Sequence, residues 1–404
     1  MIQEMPLTTL SQDRIPVLML ARSLDVGGIE SDVSKFARHL GEQGIEPHVA
    51  TFRPGGVRWS EIEAAGLPLL TVPVTSFRSK SVVDGARVLR QYMAEHNIQV
   101  LHAFDIPADV YGVPLARMLG VPVTLSSQLS YRVLSPPLMR TLLAVVDRVA
   151  TGVFVNCNAV ANYLVSNWKV PRKRIHVCYN GYEPSVFHSY DRRRVEFLSG
   201  ASTVIGTVAL LRPEKNLNIL IEAFSRLHRV DPAVRLVIVG SGPLKSELEQ
   251  QAAALQVGDA CLFQQTIALP AEWMRSMDVF VLPSLCESFS NALLEAMACG
   301  CCPVASRVGG SPELIPDGSG LLFESGDTNQ LAEILLYLHR NPSERQRMGQ
   351  AAAAFVREHL TIQKASARLA NIYRELLGRS NHENRDANGA TSIKKHSTAA
   401  MTLL

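Results

Sequence analysis

The chain has 404 residues, 47% of them hydrophobic and 19% charged, with a formal net charge of +3. This is a globular composition with room for two domains of ordinary size, and so small a charge, without an aromatic-interleaved basic stripe, gives no case for nucleic acid as a partner. No apolar run reaches membrane-spanning length, since Asp147 and Arg148 interrupt the best candidate, residues 142–155.

The N-terminus lacks a basic region, and Arg22 breaks the apolar stretch from Ile15 to Ala21, so no secretory signal is expected. Short β-branched runs then alternate with helical periodicity. Ile15–Leu20, His48–Phe52, Ile98–His102, Pro122–Ser126 and Gly152–Asn156 read as strands, with helices such as Ile29–Leu40 and Val82–Glu95 between them. This is the βαβ rhythm of a parallel sheet covered on both faces. Gly27-Gly28 joins the first strand to its helix. Backbone N–H groups at such a helix start can receive an anion, although tight turns also use glycine for steric reasons. His102 closes a strand, where it could face a cleft or sit hydrogen-bonded in the core. The stretch from Leu138, with Arg140, Asp147 and Arg148, reads as an amphipathic helix packed on a core.

The rhythm restarts after a charged stretch, Asp191–Arg194. Val204–Ala209, Arg235–Val239, Val279–Pro283 and Pro303–Ser306 read as strands, and Leu217, Leu220, Ile221, Phe224 and Leu227 mark one face of a helix. The expected fold is α/β, with two doubly wound Rossmann-like domains, residues 1–195 and 196–360, facing across a cleft. Such sheets bind ligands at their strand C-terminal ends. Residues 361–378 read as a final helix and 379–404 as a disordered polar tail.

Arg212 and Lys215, in L-R-P-E-K-N, follow the first strand of the second domain. Arg can bind a diphosphate bidentately and Lys adds a compact charge, while Glu214 between them permits a local ion pair instead. Gly240-Ser241-Gly242 fails as a dinucleotide fingerprint, because Lys245 stands at the third glycine position; it reads as a strand-to-helix turn. Cys299, Cys301 and Cys302 follow an apolar helix and read as buried structural thiols. Seven cysteines make no disulfide framework, so a reducing cytoplasm is expected. No H-E-x-x-H and no D-x-D at a strand end are present, so no metal site and no cofactor are expected.

The most informative segment is Glu287 to Glu295, E-S-F-S-N-A-L-L-E. Ser288 or Ser290 could cap a helix starting there. On one helix the two carboxylates would stand roughly 12 Å apart, too far for a glycosidase acid/base pair at about 5–9.5 Å. They suit the two ends of one elongated ligand, such as a nucleotide-diphosphate sugar, with a helix N-terminus between them.

The stretch P-S-L-C-E-S-F-S-N-A-L-L-E-A-M-A-C-G-C-C-P-V-A-S-R-V-G-G-S-P-E-L-I, from Pro283 to Ile315, resembles the E-x7-E signature of the retaining GT-B glycosyltransferases of the group 1, or family 4, type. Ala209–Phe224 is similar to that family's phosphate-binding loop and following helix, and Asp25–Glu30 to its glycine loop. The resemblance runs from about Ile15 to Leu377. It implies retaining, metal-independent transfer of a sugar from a nucleotide-sugar donor to a glycan, lipid-linked or small-molecule acceptor. Arg212 and Lys215 would contact donor phosphates, Glu287 the transferred sugar and Glu295 the ribose. Backbone N–H groups around Phe289, Ser290 and Asn291 would face the distal phosphate. Gly27 and Gly28 would admit phosphate or acceptor, and the last helix would return to the first domain. Two positions depart from the pattern: Gln128 stands where many members have a sugar-contacting His, and Gln265 where they usually have Gly. Gln128 can hydrogen-bond a sugar but carries no charge. That leaves a catalytically silent nucleotide-sugar-binding protein as the alternative, with an epimerase or a phosphorylase as weaker rivals. Lipid-carried acceptors would bring the protein to a membrane surface, with Arg172-Lys173-Arg174, Arg192-Arg193-Arg194 and the Leu138 helix as the expected contacts.

Overall fold

The structure is a computed structural model that describes residues 14–190, 192, 194–265 and 270–380. In chain order the first half contains β1 (Ile15–Ala21), α1 (Gly28–Leu40), β2 (Ile45–Thr51), α2 (Val57–Ala64), β3 (Leu69–Thr71), α3 (Ser81–Glu95), β4 (Val100–Ala103), α4 (Ile106–Met118), β5 (Val123–Ser127), α5 (Pro137–Val149), β6 (Gly152–Val155), α6 (Asn158–Trp168) and β7 (Ile175–Val177). The second half contains β8 (Val204–Val208), α7 (Leu217–Val230), β9 (Arg235–Val239), α8 (Lys245–Ala254), β10 (Cys261–Gln264), α9 (Ala271–Ser276), β11 (Val279–Leu282), α10 (Asn291–Ala298), β12 (Cys302–Ser306), α11 (Ser311–Leu314), β13 (Leu321–Phe323), α12 (Thr328–Arg340) and α13 (Pro342–His359).

Two parallel sheets result, with strand orders 3-2-1-4-5-6-7 and 10-9-8-11-12-13. In both, the order reverses beside the first strand of the sheet, which opens a crevice at the strand C-terminal ends. Burial explains the apolar runs. Val17 to Leu20 on β1 are wholly buried, because helices cover both faces of the sheet. α1 places Val33, Phe36, Ala37 and Leu40 on one face at helical spacing, and that face joins the core of the first sheet. A second apolar cluster runs from β6 and α6 through to β11 and α10, so the two sheets share packing beneath the crevice. β3, β7 and β13, with three residues each, and β10, with four, fall outside the strands expected from sequence. Segments this short carry too few residues to show alternation.

The chain crosses between the sheets twice, at adjacent points. Tyr182 donates its N–H to Leu360 O (3.0 Å), and Ile362 donates to Tyr182 O (2.9 Å). Gly181 makes this possible, because a Cβ there would lie 2.5 Å from Ile362 Cα. The last helix, residues 362–380, then packs Leu369, Ile372, Tyr373 and Leu376 into the core of the first sheet. It begins one residue later than expected and runs two residues further; the expected tail otherwise lies outside the described residues.

His102 is corrected from a cleft candidate to a core residue. It is fully buried on β4, with Nδ1 2.8 Å from Tyr373 Oη and Nε2 2.9 Å from Ser127 Oγ. Burial pulls its pKa down to about 3, so the ring is neutral and can be satisfied by these two hydroxyls. It ties the last helix to the first sheet. Replacing Tyr373 with Phe should leave His102 Nδ1 without a partner and cost about 1–3 kcal/mol, measured by chemical denaturation. An unchanged unfolding midpoint would contradict this account of the helix's attachment.

Candidate active site

The candidate residues gather where the strand C-terminal ends of the two sheets face each other. The loop after β11 carries Glu287, and α10 follows. Ser290, not Ser288, caps that helix, accepting from Leu293 N at 3.3 Å. Glu287 therefore lies on the loop and Glu295 on the helix, rather than both on one helix. The N–H groups of the first turn have no upstream carbonyl and point toward the crevice end of α10. Gly309 lets the turn after β12 close on this loop. It has φ +53°, and a Cβ there would fall 1.6 Å from Glu287 O.

Lys215 and Glu287 meet directly, with Nζ 2.6 Å from Oε2. Ser284 Oγ donates to the same oxygen at 3.4 Å. Arg212 extends toward solvent, its side chain 56% exposed and 4.0 Å from Glu214. Lys215 thus meets the loop that leads into α10, and Glu295 lies about one turn into the helix. Burial pushes the pKa of Glu295 up to about 7, while the Lys35 ammonium, 4.0 Å away, opposes the rise.

The first domain supplies the opposite wall. Gly27 and Gly28 start α1, and Gly28 O accepts from Asn291 Nδ2 at 3.3 Å. Asp32 accepts from Asn291 Nδ2 at 2.8 Å and from Asn180 Nδ2 at 3.0 Å, and it pairs with Lys35 at 3.1 Å. Burial raises its pKa, with Lys35 and Asn291 opposing. Ser288 Oγ donates across the crevice to Leu129 O at 2.7 Å. Glu313 receives the backbone N–H groups of Asn158 and Ala159, at 2.9 and 2.8 Å, and so caps α6 from the other domain. Burial would raise the pKa of Glu183, but His39 and Arg38 hold it at about 2. The cavity these walls enclose measures about 640 Å³, within the range of ligand sites.

Glu287, Arg212, Lys215, Glu295, Phe289, Ser290, Asn291, Gly27 and Gly28 all line it. Phe289 is nearly buried, its ring 5.3 Å from that of Tyr179, and serves as the apolar floor. His102 and Gln128 do not line it. Gln128 is 3% exposed and accepts from Arg132 Nε at 2.7 Å. Arg132, 1% exposed, also reaches Asp147 at 2.7 Å and lies 4.8 Å above the Trp168 ring. Gln128 is therefore corrected from a sugar contact to an anchor for the loop 129–135, whose Leu129, Ser130 and Tyr131 form cavity wall. Sequence reading missed Asp32, Lys35, Asn180 and Arg132. Among the described residues, no group of three or more His, Cys, Asp or Glu is placed to hold a metal ion. Cys299, Cys301 and Cys302 are buried, and burial raises their thiol pKa values.

Comparison with known proteins places this geometry. Residues 191–355 match the family described as "Glycosyl transferases group 1", and residues 26–186 match "Glycosyltransferase Family 4". The chain belongs to the group 1/family 4 glycosyltransferases and has their GT-B fold. It is 27% identical over 370 residues to a D-inositol 3-phosphate glycosyltransferase of Arthrobacter sp., covering 83% of this chain and 84% of that one. An N-acetyl-alpha-D-glucosaminyl L-malate synthase of Bacillus anthracis is 31% identical over 212 residues, 51% of this chain and 55% of the relative. Among solved structures, Anabaena Alr3699/HepE in complex with UDP and glucose superposes with a TM-score of 0.78 at 20% identity, over 90% of this chain and all of that one. A Rickettsia africae glycosyltransferase gives a TM-score of 0.78 at 18% identity, over 90% and 99%.

The buried Arg132 makes a stability prediction for the cavity wall. Arg132→Met should leave Asp147 unpaired and cost about 3–5 kcal/mol, and Arg132→Met/Asp147→Leu should recover most of it. Thermal unfolding of the two variants reads the difference; equal losses would contradict the pairing.

Proposed function

We propose that the chain is a retaining transferase that moves a sugar from a nucleotide-diphosphate-sugar donor to a glycan, lipid-linked or small-molecule acceptor. One observation carries the reading: Lys215, Arg212, the first residues of α10 and Glu295 line a single cavity, with Glu287 held by Lys215 just ahead of the helix and Glu295 about one turn into it. An elongated, doubly anionic ligand fits that order, with sugar at Glu287, diphosphate at the cations and ribose hydroxyls at Glu295. The UDP and glucose held by the Anabaena neighbour, and the nucleotide-sugar chemistry of the family, support the assignment.

The bond from the anomeric carbon to the leaving phosphate oxygen breaks, and the acceptor oxygen bonds to the same face of the sugar. The acceptor proton passes to the departing phosphate oxygen, so no dedicated protein base is required. Arg212, Lys215 and the first-turn N–H groups of α10 take up the charge that develops on the phosphate, which assigns no metal to the reaction. The silent alternative was motivated by Gln128, which stands behind the cavity wall and so gives no reason to expect lost catalysis.

Nucleotide release from a panel of nucleotide sugars tests the reading, with the anomeric configuration of the product read by NMR. Retention is expected, turnover should withstand a chelator, and Arg212→Ala or Lys215→Ala should each lower it on the order of 10²-fold or more. An inverted product, or near-normal turnover in both variants, would overturn it.

Membrane contact remains a proposal in narrower form. Arg192 donates to Gly300 O and Met277 O, and Arg194 pairs with Asp278 at 2.7 Å, so both guanidinium groups are engaged with the protein, and Arg193 lies outside the described residues. Arg174 is bonded to Ala150 O, which sets the 172–174 turn against the end of α5. The outward face of α5 holds Leu138, 64% exposed, and Val145, 49% exposed, and Lys173 on the turn is exposed. Salt-sensitive flotation with anionic vesicles, reduced by Leu138→Ser/Val145→Ser, is expected. Flotation indifferent to lipid charge and to these substitutions would remove the proposal.

A further inference from the structure

Lys35 is a buried ammonium on the cavity wall that belongs to the first domain, while the carboxylate it faces across the cleft belongs to the second. Its side chain is 3% exposed. Nζ lies 3.1 Å from Asp32 Oδ1 and 4.0 Å from Glu295 Oε1, yet it makes no well-aligned hydrogen bond. An ammonium has three donors, and burying it without using them is costly. Lys35 lines the same cavity as Glu295, so its charge lies at the ribose end of the site.

Its surroundings fix its position. Asp32 cannot leave, because Asn180 and Asn291 both donate to it. Asn291 opens the helix that carries Glu295, so Asp32, Lys35 and Glu295 are held in one register. The charged groups that act on Glu295 are Lys35 and Asp32 from α1, Arg58 from α2 and Glu183 from the first crossover; Cys299 stands one turn further along α10. Lys35 is the strongest favourable one, since Arg58 is already paired with Glu61 at 2.5 Å.

We propose that Lys35 is a positioning residue for the donor: it keeps Glu295 ionised as an acceptor for ribose hydroxyls and completes the ribose end of the site from the opposite domain. The proposal rests on the reading of Glu295 as the ribose carboxylate. A carboxylate can accept two hydroxyl hydrogen bonds, whereas its protonated form must use one oxygen as a donor. Glu295 titrates near neutrality because of burial, so its acceptor form is present above about pH 7 and is lost as pH falls. Removing the Lys35 charge moves that loss to higher pH.

Calorimetric titration of adenosine, guanosine and uridine diphosphates between pH 5.5 and 9 tests this, using the tightest binder in each variant. The nucleotide's own phosphate titration is common to all variants and cancels in the comparison. Lys35→Met should move the acid-side loss of affinity up by about one pH unit, about fivefold weaker binding at pH 7, and Lys35→Arg should restore the wild-type profile. If Lys35→Met does not fold, Lys35→Gln removes the charge while keeping a donor for Asp32 and should shift the profile in the same direction. Glu295→Gln separates the two levels of the argument. If it leaves affinity unchanged, the ribose assignment fails and the proposal falls with it. If Glu295→Gln weakens binding but the Lys35 variants keep the wild-type profile, the role of Lys35 alone is refuted.

Discussion

The site depends on one buried carboxylate, Asp32, and the two amides that hold it. Asn291 at the start of α10 and Asn180 in the first crossover both donate to it, and Asn180 also donates to Asn291 Oδ1 at 2.9 Å. Hydrogen bonds to a charged group contribute about 1.5–3 kcal/mol each, and an unmade one at this depth would cost as much. The E-x7-E helix is thereby fixed against the glycine turn of the other domain. Neither domain holds the complete arrangement alone.

Around this node the cleft balances its charges in pairs. Glu287 has Lys215, Glu295 has Lys35, and Glu183 has Arg38 at 2.7 Å. Such pairs contribute little net stability once desolvation is counted. On the proposed reading their value is in positioning, because each carboxylate is kept ready to accept and each cation ready to donate when a ligand displaces one partner. An elongated anionic donor needs both kinds of group along its length. The cross-domain contacts Ser288 to Leu129 and Glu313 to α6 hold the spacing between them. The Arg132 anchor stiffens the wall from behind.

Much of this was legible in the sequence, for identifiable reasons. The sheets were read from apolar runs such as Val17 to Leu20, whose burial on both faces leaves no ambiguity. The E-x7-E segment was legible because its cap, carboxylates and helix are contiguous. Lys35 and Asp32 were not, because an i,i+3 Asp–Lys pair on an amphipathic helix reads as a solvated face, and only the approach of α10 buries it. Gln128 was misplaced, and His102 left open between cleft and core, for a related reason. Both end or follow a strand pointing toward the cleft, but the last helix covers His102 and Arg132 claims Gln128, and both partners are distant or ambiguous in sequence. Position along a strand fixed the end of the sheet correctly and left the side-chain direction open.

The central claim is that a nucleotide sugar lies along the cleft with its sugar at Glu287 and its ribose at Glu295. A crystal structure with the preferred nucleoside diphosphate bound tests it most directly. The account predicts ribose hydroxyls within hydrogen-bonding distance of Glu295 and the diphosphate against Arg212, Lys215 and the N-terminus of α10. A nucleotide bound in the reverse direction, or outside the cleft altogether, would contradict it.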